Sequence, residues 1–148
     1  MKVIIIGGGA CGASAAARLR RLSEDAEILI IEKTDEISIA NCGLPYYCSD
    51  IISERDKILV SNPEKFKNIF NIDVKLNSEV VKINREEKFV ELADGERFSF
   101  DKLVLATGAP PIVPQFPGLN KEKTFTVKNL NDADKIKDFI KNNEVKNS

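Results

Sequence analysis

The cysteines of this chain, and its lack of histidine, limit the chemistry that it can perform. It has three cysteines, Cys11, Cys42 and Cys48, and no histidine. The missing histidine excludes Ser-His and Cys-His nucleophile pairs, histidine general bases and most zinc-site designs, and no metal site is expected. A low, odd cysteine count is not that of a secreted disulfide scaffold. Chemistry must therefore use thiols, carboxylates, lysine, tyrosine or a bound cofactor.

Cys42 is the cysteine whose position favours reactivity. A helix is predicted to begin near it and to continue through Leu44-Pro45-Tyr46-Tyr47. A helix N-terminus stabilises a thiolate, which is the nucleophile in disulfide exchange. Cys48 is a poor disulfide partner, because six residues along a continuous helix leave the two side chains about 120° apart. Cys48 and Cys11 are expected to be small packed residues, and composition alone leaves a buried thiol as the alternative for Cys42.

A glycine-rich turn at residues 7–12 predicts a dinucleotide site. Its letters, GGGACG, fit G-x-G-x-x-G between an apolar strand and an alanine-rich helix. Gly7 permits a tight turn, Gly9 lets the backbone approach a pyrophosphate, and Gly12 allows close helix–strand contact. The helix N-terminus offers N–H groups to the phosphates. Glu32 ends the next strand, where an acid accepts hydrogen bonds from the adenosine ribose.

The elements that position these residues alternate in type. Strands predicted over 2–6 and 27–31 flank a helix over 10–22, which makes a βαβ unit of a parallel sheet. The later predictions are a helix from Asn62 to about Phe70, an antiparallel meander of 78–83, 89–93 and 97–100, a buried strand over 102–105, and a helix over 131–141. The predicted fold class is α/β, a Rossmann-like domain with a parallel sheet and an inserted antiparallel β-meander.

Composition describes an ordinary soluble protein of 148 residues, with 43% hydrophobic and 30% charged residues. The net charge of -1 implies no general attraction to nucleic acid or to an anionic membrane. No apolar run approaches the roughly 20 residues of a membrane span. The apolar start leads directly into glycines, which indicates a strand and turn instead of a signal peptide, so the expected location is the cytoplasm.

With these features the chain resembles the pyridine nucleotide-disulfide oxidoreductases. The resemblance extends from Lys2 to about Ile140 and rests on the glycine turn, on SIANCGLPYY at 38–47 and on FDKLVLATG at 100–108. It implies that the first βαβ unit holds the ADP half of FAD and that the closing strand packs against the cofactor. The FAD contacts that it implies are Gly7, Gly9, Ala10, Gly12, Glu32, Lys33, Asn41, Val81, Ala106, Thr107 and Gly108.

The segment around Cys42 resembles the single-cysteine branch of that family, whereas the two-cysteine branch has C-x4-C at this place. This branch contains coenzyme A disulfide reductases, persulfide or polysulfide reductases, NADH oxidases and NADH peroxidases. The resemblance implies that the sulfur of Cys42 lies against the flavin ring. Electrons would then pass from NAD(P)H through FAD to Cys42, which exchanges with a mixed disulfide.

The first helix resembles that of the coenzyme A disulfide reductases. The resemblance implies coenzyme A contacts at Ser14, Arg18, Arg21, Ser38 and Asn41. Guanidinium groups suit the 3′-phospho-ADP part of coenzyme A, because their forked donors match phosphate oxygens. A solvated basic face is the alternative explanation for the arginines. Phe70 stands where some of these enzymes supply a lysine, so that phosphate contact is not carried over.

The resemblance also predicts how the chain is organised. Residues 1–127 are expected to form the N-terminal portion of an FAD-binding domain, and 128–148 a crossover helix and tail leading toward an NAD(P)-binding domain that this sequence lacks. Complete enzymes of the family are much longer homodimers, so we expect a fragment that is inactive alone with NAD(P)H. Two alternatives stay open: an NADH oxidase or peroxidase that cycles through cysteine sulfenic acid, and a non-catalytic dinucleotide-binding module. Ala10 disfavours the former, which commonly has histidine there.

Overall fold

The structure is a computed structural model that describes residues 1–143. It divides into two compact units, the first of Met1–Ser38 and Ser61–Gly108, and the second of Ile39–Val60 and residues 109–143. The predicted segments 1–127 and 128–148 refer to parts of a longer enzyme and stay a prediction. Residues 144–148 of the predicted tail lie outside the described residues.

Within the described residues, seven strands and four α-helices follow one another. They are β1 (Lys2–Ile6), α1 (Ala10–Leu22), β2 (Glu27–Ile31), α2 (Leu44–Cys48), α3 (Pro63–Phe70), β3 (Asp73–Lys75), β4 (Val80–Asn84), β5 (Phe89–Leu92), β6 (Arg97–Ser99), β7 (Lys102–Leu105) and α4 (Leu130–Asn142). None of the helices within residues 1–143 is long and apolar enough to cross a membrane.

A parallel sheet in the order β3-β2-β1-β7 forms the centre of the first unit. Its strands pair in register, with Ile5 opposite Ile30 on one side and opposite Val104 on the other. Ile5 and Ile30 are fully buried, as expected for parallel strands that are covered on both faces. The α/β fold class and the predicted parallel sheet are therefore confirmed. β3 was not predicted, and it extends the sheet beside β2.

The two faces of the parallel sheet are covered by different elements of the first unit. On one face, Ala13 and Ala16 of α1 and Phe66 of α3 pack with the inward residues of β1 and β2. On the other face, Val90 and Leu92 of β5 are among the residues that cover the sheet. The strands β4-β5-β6 form the predicted antiparallel meander.

The second unit contains the cysteine segment. Asn41–Gly43 form a 3-10 turn that leads directly into α2, and α4 packs against α2. The core of this unit is apolar and consists of Leu44, Tyr47, Ile58, Leu130 and Ala133. The side chain of Asn129 caps α4 by accepting a hydrogen bond from the backbone N–H of Asp132 at 2.8 Å.

Candidate functional site

The glycine turn is shaped by two close backbone approaches in the first unit. Gly7 has φ of 102°, and a Cβ atom at this position would overlap the carbonyl of Ala106. A Cβ atom on Gly12 would overlap the carbonyl oxygen of Gly7. Only glycine fits at either position, because the obstructing atoms belong to the backbone and cannot rotate away. The turn therefore has the close packing that the sequence pattern predicts.

Gly9 is different, because a Cβ atom there would meet no atom within 4 Å. It precedes Ala10 and the other residues of the first turn of α1, which has no side-chain cap and no acidic residue. The first N–H groups of a helix lack partners within the helix, and the helix dipole makes that end favourable for an anion. Open space beside uncapped N–H groups fits a pyrophosphate.

Glu32 is fixed directly beside this turn. Its Oε2 accepts a hydrogen bond from the backbone N–H of Gly8 at 2.7 Å, and its Oε1 accepts one from the backbone N–H of Thr34 at 2.9 Å. A carboxylate has about four acceptor positions, so the group keeps capacity for a ribose hydroxyl. The side chain is half-buried at the carboxyl end of the sheet, which is where dinucleotides bind to α/β folds.

The other predicted FAD contacts of the first unit lie on three separate segments. Ala106 follows β7 and donates its N–H to the carbonyl of Ile6 at 2.8 Å, which brings Thr107 and Gly108 to this edge. Lys33 is exposed next to Glu32. Val81 lies at a register shift between β4 and β5, and it is 59% exposed. A bulge of this kind re-aims a side chain outward, which explains an exposed valine on a strand.

Cys42 is exposed at the centre of the 3-10 turn of the second unit. Ile58 holds this turn through two contacts. Ala40 donates its N–H to the carbonyl of Ile58 at 2.8 Å, and Gly43 packs so closely on the Ile58 side chain that a Cβ atom on Gly43 would lie 2.8 Å from Cδ1. The helix predicted to begin near Cys42 is present, but Cys42 itself lies in the 3-10 turn of Asn41–Gly43 and the α-helical part begins at Leu44. A helix of five residues has little dipole, so accessibility and a fixed turn support a reactive thiol better than a helix end does.

The other cysteines differ from each other, and all three are free thiols. Cys48 is half-buried against the apolar core of the second unit, as expected, and burial raises the pKa of its thiol. Cys11 was expected to be packed, but it is exposed. The reason is helical geometry: α1 presents Gly12, Ala13 and Ala16 to the sheet, and Cys11 lies outside this face.

The predicted coenzyme A contacts lie on both units. Ser14, Arg18 and Arg21 share an exposed face of α1, as their spacing predicts. No residue among 1–143 forms a hydrogen bond or ion pair with the Arg18 side chain. Ser38 is half-buried in the first unit, where its N–H donates to the carbonyl of Gly8 at 3.0 Å. Asn41, predicted to contact both FAD and coenzyme A, is exposed in the second unit.

Arg20, which lies between these arginines, has another role that the sequence reasoning missed. Its guanidinium donates to the backbone carbonyls of Phe70, Ala26 and Asn71 at 2.7 to 2.8 Å, and also to those of Ser23 and Glu24. It therefore joins the C-terminal ends of α1 and α3. The available signal was its place in the last turn of a helix, where basic side chains bind free carbonyls.

A polar cluster in the second unit was also missed. The hydroxyl of Tyr47 donates to Oδ1 of Asp134 at 2.8 Å, and Nε of Arg55 donates to Oδ2 at 3.2 Å. Burial raises the pKa of Tyr47 to about 12, with the hydrogen bond to Asp134 adding to the effect. Nζ of Lys137 donates to the Tyr47 carbonyl at 3.1 Å and to Oδ1 of Asp50 at 2.5 Å.

Comparison with known proteins agrees with this geometry. The family described as pyridine nucleotide-disulphide oxidoreductase matches residues 1–145. The coenzyme A disulfide reductase of Staphylococcus aureus strain JH9 is 40% identical over 97% of this chain and 33% of its own length. The chain thus spans about a third of the length of the curated relatives it matches.

Solved structures show the same likeness. Reduced Bacillus anthracis CoADR-RHD has a TM-score of 0.87 and 47% identity, over 97% of this chain and 27% of that one. The NAD-dependent persulfide reductase of A. fulgidus has a TM-score of 0.88 and 35% identity, over 97% and 28%. The NADH-bound water-forming NADH oxidase of Lactobacillus brevis has a TM-score of 0.84 and 29% identity, over 95% and 32%.

FAD is the standard cofactor of the matched family, and the residues present here fit such a dinucleotide. The open backbone at Gly9, the uncapped start of α1 and the fixed carboxylate of Glu32 occupy one edge of the parallel sheet. Sequence match, fold and glycine turn all agree. The chain belongs to the pyridine nucleotide-disulphide oxidoreductase family.

Proposed function

We propose that this chain provides the FAD-binding and thiol parts of an NAD(P)H-dependent disulfide reductase that acts on coenzyme A disulfide or on a related coenzyme A persulfide or polysulfide. The observation that carries the proposal is the exposed thiol of Cys42, held in a fixed turn of a chain whose relatives include coenzyme A disulfide reductases. The full-length enzyme is proposed to be a cytoplasmic homodimer.

The thiol of Cys42 performs the exchange in this proposal. Its thiolate attacks one sulfur of coenzyme A disulfide, the S–S bond breaks, and one coenzyme A thiolate leaves while a Cys42–coenzyme A disulfide forms. Two electrons and one proton then break this mixed disulfide, which frees the second coenzyme A as a thiol and restores the Cys42 thiolate. The two electrons would come from flavin that NAD(P)H has already reduced, with the residues of the glycine turn and Glu32 holding that cofactor.

The remaining residues bind and orient the two ligands in the proposal. The N–H groups around Gly9 and Ala10 bind the pyrophosphate of FAD, and Glu32 accepts hydrogen bonds from its ribose. Arg18 and Arg21 bind phosphate groups of coenzyme A, with Ser14 on the same face of α1. Support comes from the exposure of this face and from the lack of a partner for the Arg18 guanidinium within residues 1–143.

The test is the mass of the chain after incubation with coenzyme A disulfide. We expect one coenzyme A per chain, located on Cys42 by peptide mass spectrometry, and no adduct in the Cys42→Ser variant. Cys11→Ser is the matched control, because it removes another exposed thiol and is expected to retain the adduct. An adduct that survives Cys42→Ser, or its absence from the unmodified chain, would contradict the proposal.

Two other functions predict different outcomes when peroxide treatment and FAD binding are measured beside adduct formation. The likeness to a water-forming NADH oxidase supports the alternative in which Cys42 cycles through sulfenic acid. Sulfenic acid at Cys42 after peroxide treatment, without a coenzyme A adduct, would favour that function. FAD binding together with an inert Cys42 would favour a non-catalytic dinucleotide-binding module.

A further inference from the structure

We propose that α4 positions the thiol of Cys42 for exchange with a disulfide, through the hydrogen bond between Tyr47 and Asp134. This inference rests on the proposed function, and it adds two positioning residues to the cysteine. Neither Tyr47 nor Asp134 is assigned to react with the substrate. Their effect on Cys42 is indirect, because they hold the helix that follows it.

The cysteine turn depends on α2 for its position. Cys42 lies in the turn of Asn41–Gly43, and α2 begins at the next residue and ends at Cys48. A helix of five residues is too short to be stable alone, since helix formation has a costly nucleus. No side chain caps its start. The backbone around Cys42 is therefore held by whatever packs against α2.

Apolar contacts supply part of that support. Leu44 is 1% exposed and Tyr47 is 7% exposed, and both pack in the core cluster that includes Leu130 and Ala133 of α4. Such contacts favour burial strongly, but they have little directional preference. They bring α2 against α4 without selecting one rotation of α2, and the rotation of α2 decides where the preceding turn points.

Polar contacts between α2 and α4 select one rotation of α2. The Tyr47 hydroxyl donates to Oδ1 of Asp134 at 2.8 Å and Nε of Arg55 donates to Oδ2 at 3.2 Å, so one donor within α2 and one beyond its C-terminal end bind both oxygens of one α4 carboxylate. A hydrogen bond to a charged group has a narrow geometry and is stronger than a neutral one. Lys137 adds a bond to the Tyr47 carbonyl at 3.1 Å and lies 4.1 Å from the centre of its ring.

Positioning has a different signature from simple stability. Exchange with coenzyme A disulfide needs the Cys42 sulfur in line with an S–S bond of a bound, bulky substrate, and small displacements cost such reactions a large factor. Alkylation by iodoacetamide needs no bound geometry, only an accessible thiolate. Loss of positioning should therefore slow the first reaction and leave the second nearly unchanged.

The test compares two neighbouring tyrosines in the full chain. Tyr47→Phe removes the hydroxyl that binds Asp134, and Tyr46→Phe removes a hydroxyl with no partner among residues 1–143 from a side chain that is 54% exposed. We expect Tyr47→Phe to lower the rate constant for coenzyme A adduct formation at Cys42 about tenfold. Iodoacetamide alkylation of Cys42 should change by less than about twofold, and Tyr46→Phe should match the unmodified chain in both reactions.

Asp134 variants provide the second measurement. Asp134→Ala should slow adduct formation at least as much as Tyr47→Phe, because it removes the acceptor of Arg55 as well as that of Tyr47. The double variant should be no slower than Asp134→Ala, because the bond that Tyr47→Phe removes is already absent there. Asp134→Asn keeps an acceptor for Tyr47 and should recover most of the rate. Faster alkylation of the half-buried Cys48 would reveal that Tyr47→Phe unfolds. In that case the positioning role is tested by comparing the rates of adduct formation in Asp134→Asn and Asp134→Ala.

Failure of the positioning role can be distinguished from failure of the proposed function. Adduct formation in the unmodified chain with equal rates in Tyr47→Phe and Tyr46→Phe would overturn the positioning role and leave the proposed function standing. Equal rates in Asp134→Asn and Asp134→Ala would overturn it as well. No coenzyme A adduct at Cys42 in the unmodified chain would overturn the proposed function itself.

Discussion

At the scale of single residues, the glycines of the turn at residues 7–12 meet two different requirements, one of packing within the folded chain and one of access for a ligand. Gly12 is needed by the folded chain, because a Cβ atom at this position would overlap the carbonyl oxygen of Gly7. Gly9 is not needed in that way, because the space around it is open and its φ of -65° suits any residue. The open space at Gly9 is what the predicted approach of a pyrophosphate to the backbone requires.

This difference predicts opposite behaviour for two alanine variants. Gly12→Ala should destabilise the chain by more than about 2 kcal/mol, because the backbone must move to admit the new methyl group. Gly9→Ala should unfold at the same urea concentration as the unmodified chain but bind FAD at least about tenfold more weakly, because its methyl group enters the pyrophosphate position. Urea titration and equilibrium dialysis with FAD measure the two effects. Normal FAD affinity in Gly9→Ala would place the pyrophosphate elsewhere.

At the scale of elements, much of the first unit follows from local pattern. β1 and β2 are continuous apolar runs and Asn62-Pro63-Glu64 is a helix-start signal, so these elements and the meander were predicted. β3 was missed, because Asp73-Val74-Lys75 has no strand pattern and is a strand only through pairing with β2. Long-range contacts of this kind, like that between Tyr47 and Asp134, cannot be read from local sequence.

The link between α1 and α3 through Arg20 makes a prediction about stability. Arg20→Met removes all the bonds from its guanidinium to backbone carbonyls at the ends of both helices. We expect a loss of about 3 kcal/mol in the free energy of unfolding, since these bonds come from a charged donor. Arg21→Met is the matched control, because the exposed Arg21 makes one long bond of 3.3 Å to Ala17. Similar urea midpoints for the two variants would disprove the structural role of Arg20.

The contact between α2 and α4 predicts a pH dependence at high pH. The folded pKa of Tyr47, about 12, lies above the ordinary value of 10.0 because of burial and the bond to Asp134. The stability that Tyr47 contributes is therefore complete below pH 10 and is lost as pH rises through about 12. Tyr46→Phe leaves Tyr47 as the one tyrosine of the chain, so its phenolate absorbance can be titrated alone. A midpoint near 10 would contradict the buried, bonded hydroxyl.

At the scale of the whole molecule, the chain has one G-x-G-x-x-G turn, at residues 7–12, although its family is named for pyridine nucleotides. The chain spans about a third of the length of the curated relatives that it matches. FAD and NADH share the ADP group that such a turn binds, so both would use the same N–H groups at the start of α1. The two dinucleotides should therefore compete for this chain.

Competition can be measured through stability. FAD at 100 times its dissociation constant should raise the free energy of unfolding by about 2.7 kcal/mol, because it binds only the folded chain. If both dinucleotides need the turn at residues 7–12, NADH added to the FAD-saturated chain should give no further increase, and a large excess of NADH should displace FAD. For the same reason the chain mixed with FAD, NADH and coenzyme A disulfide should form its Cys42 adduct without continuous NADH oxidation. Additive stabilisation by the two dinucleotides, or sustained NADH oxidation, would require a second nucleotide site that the glycine pattern does not predict.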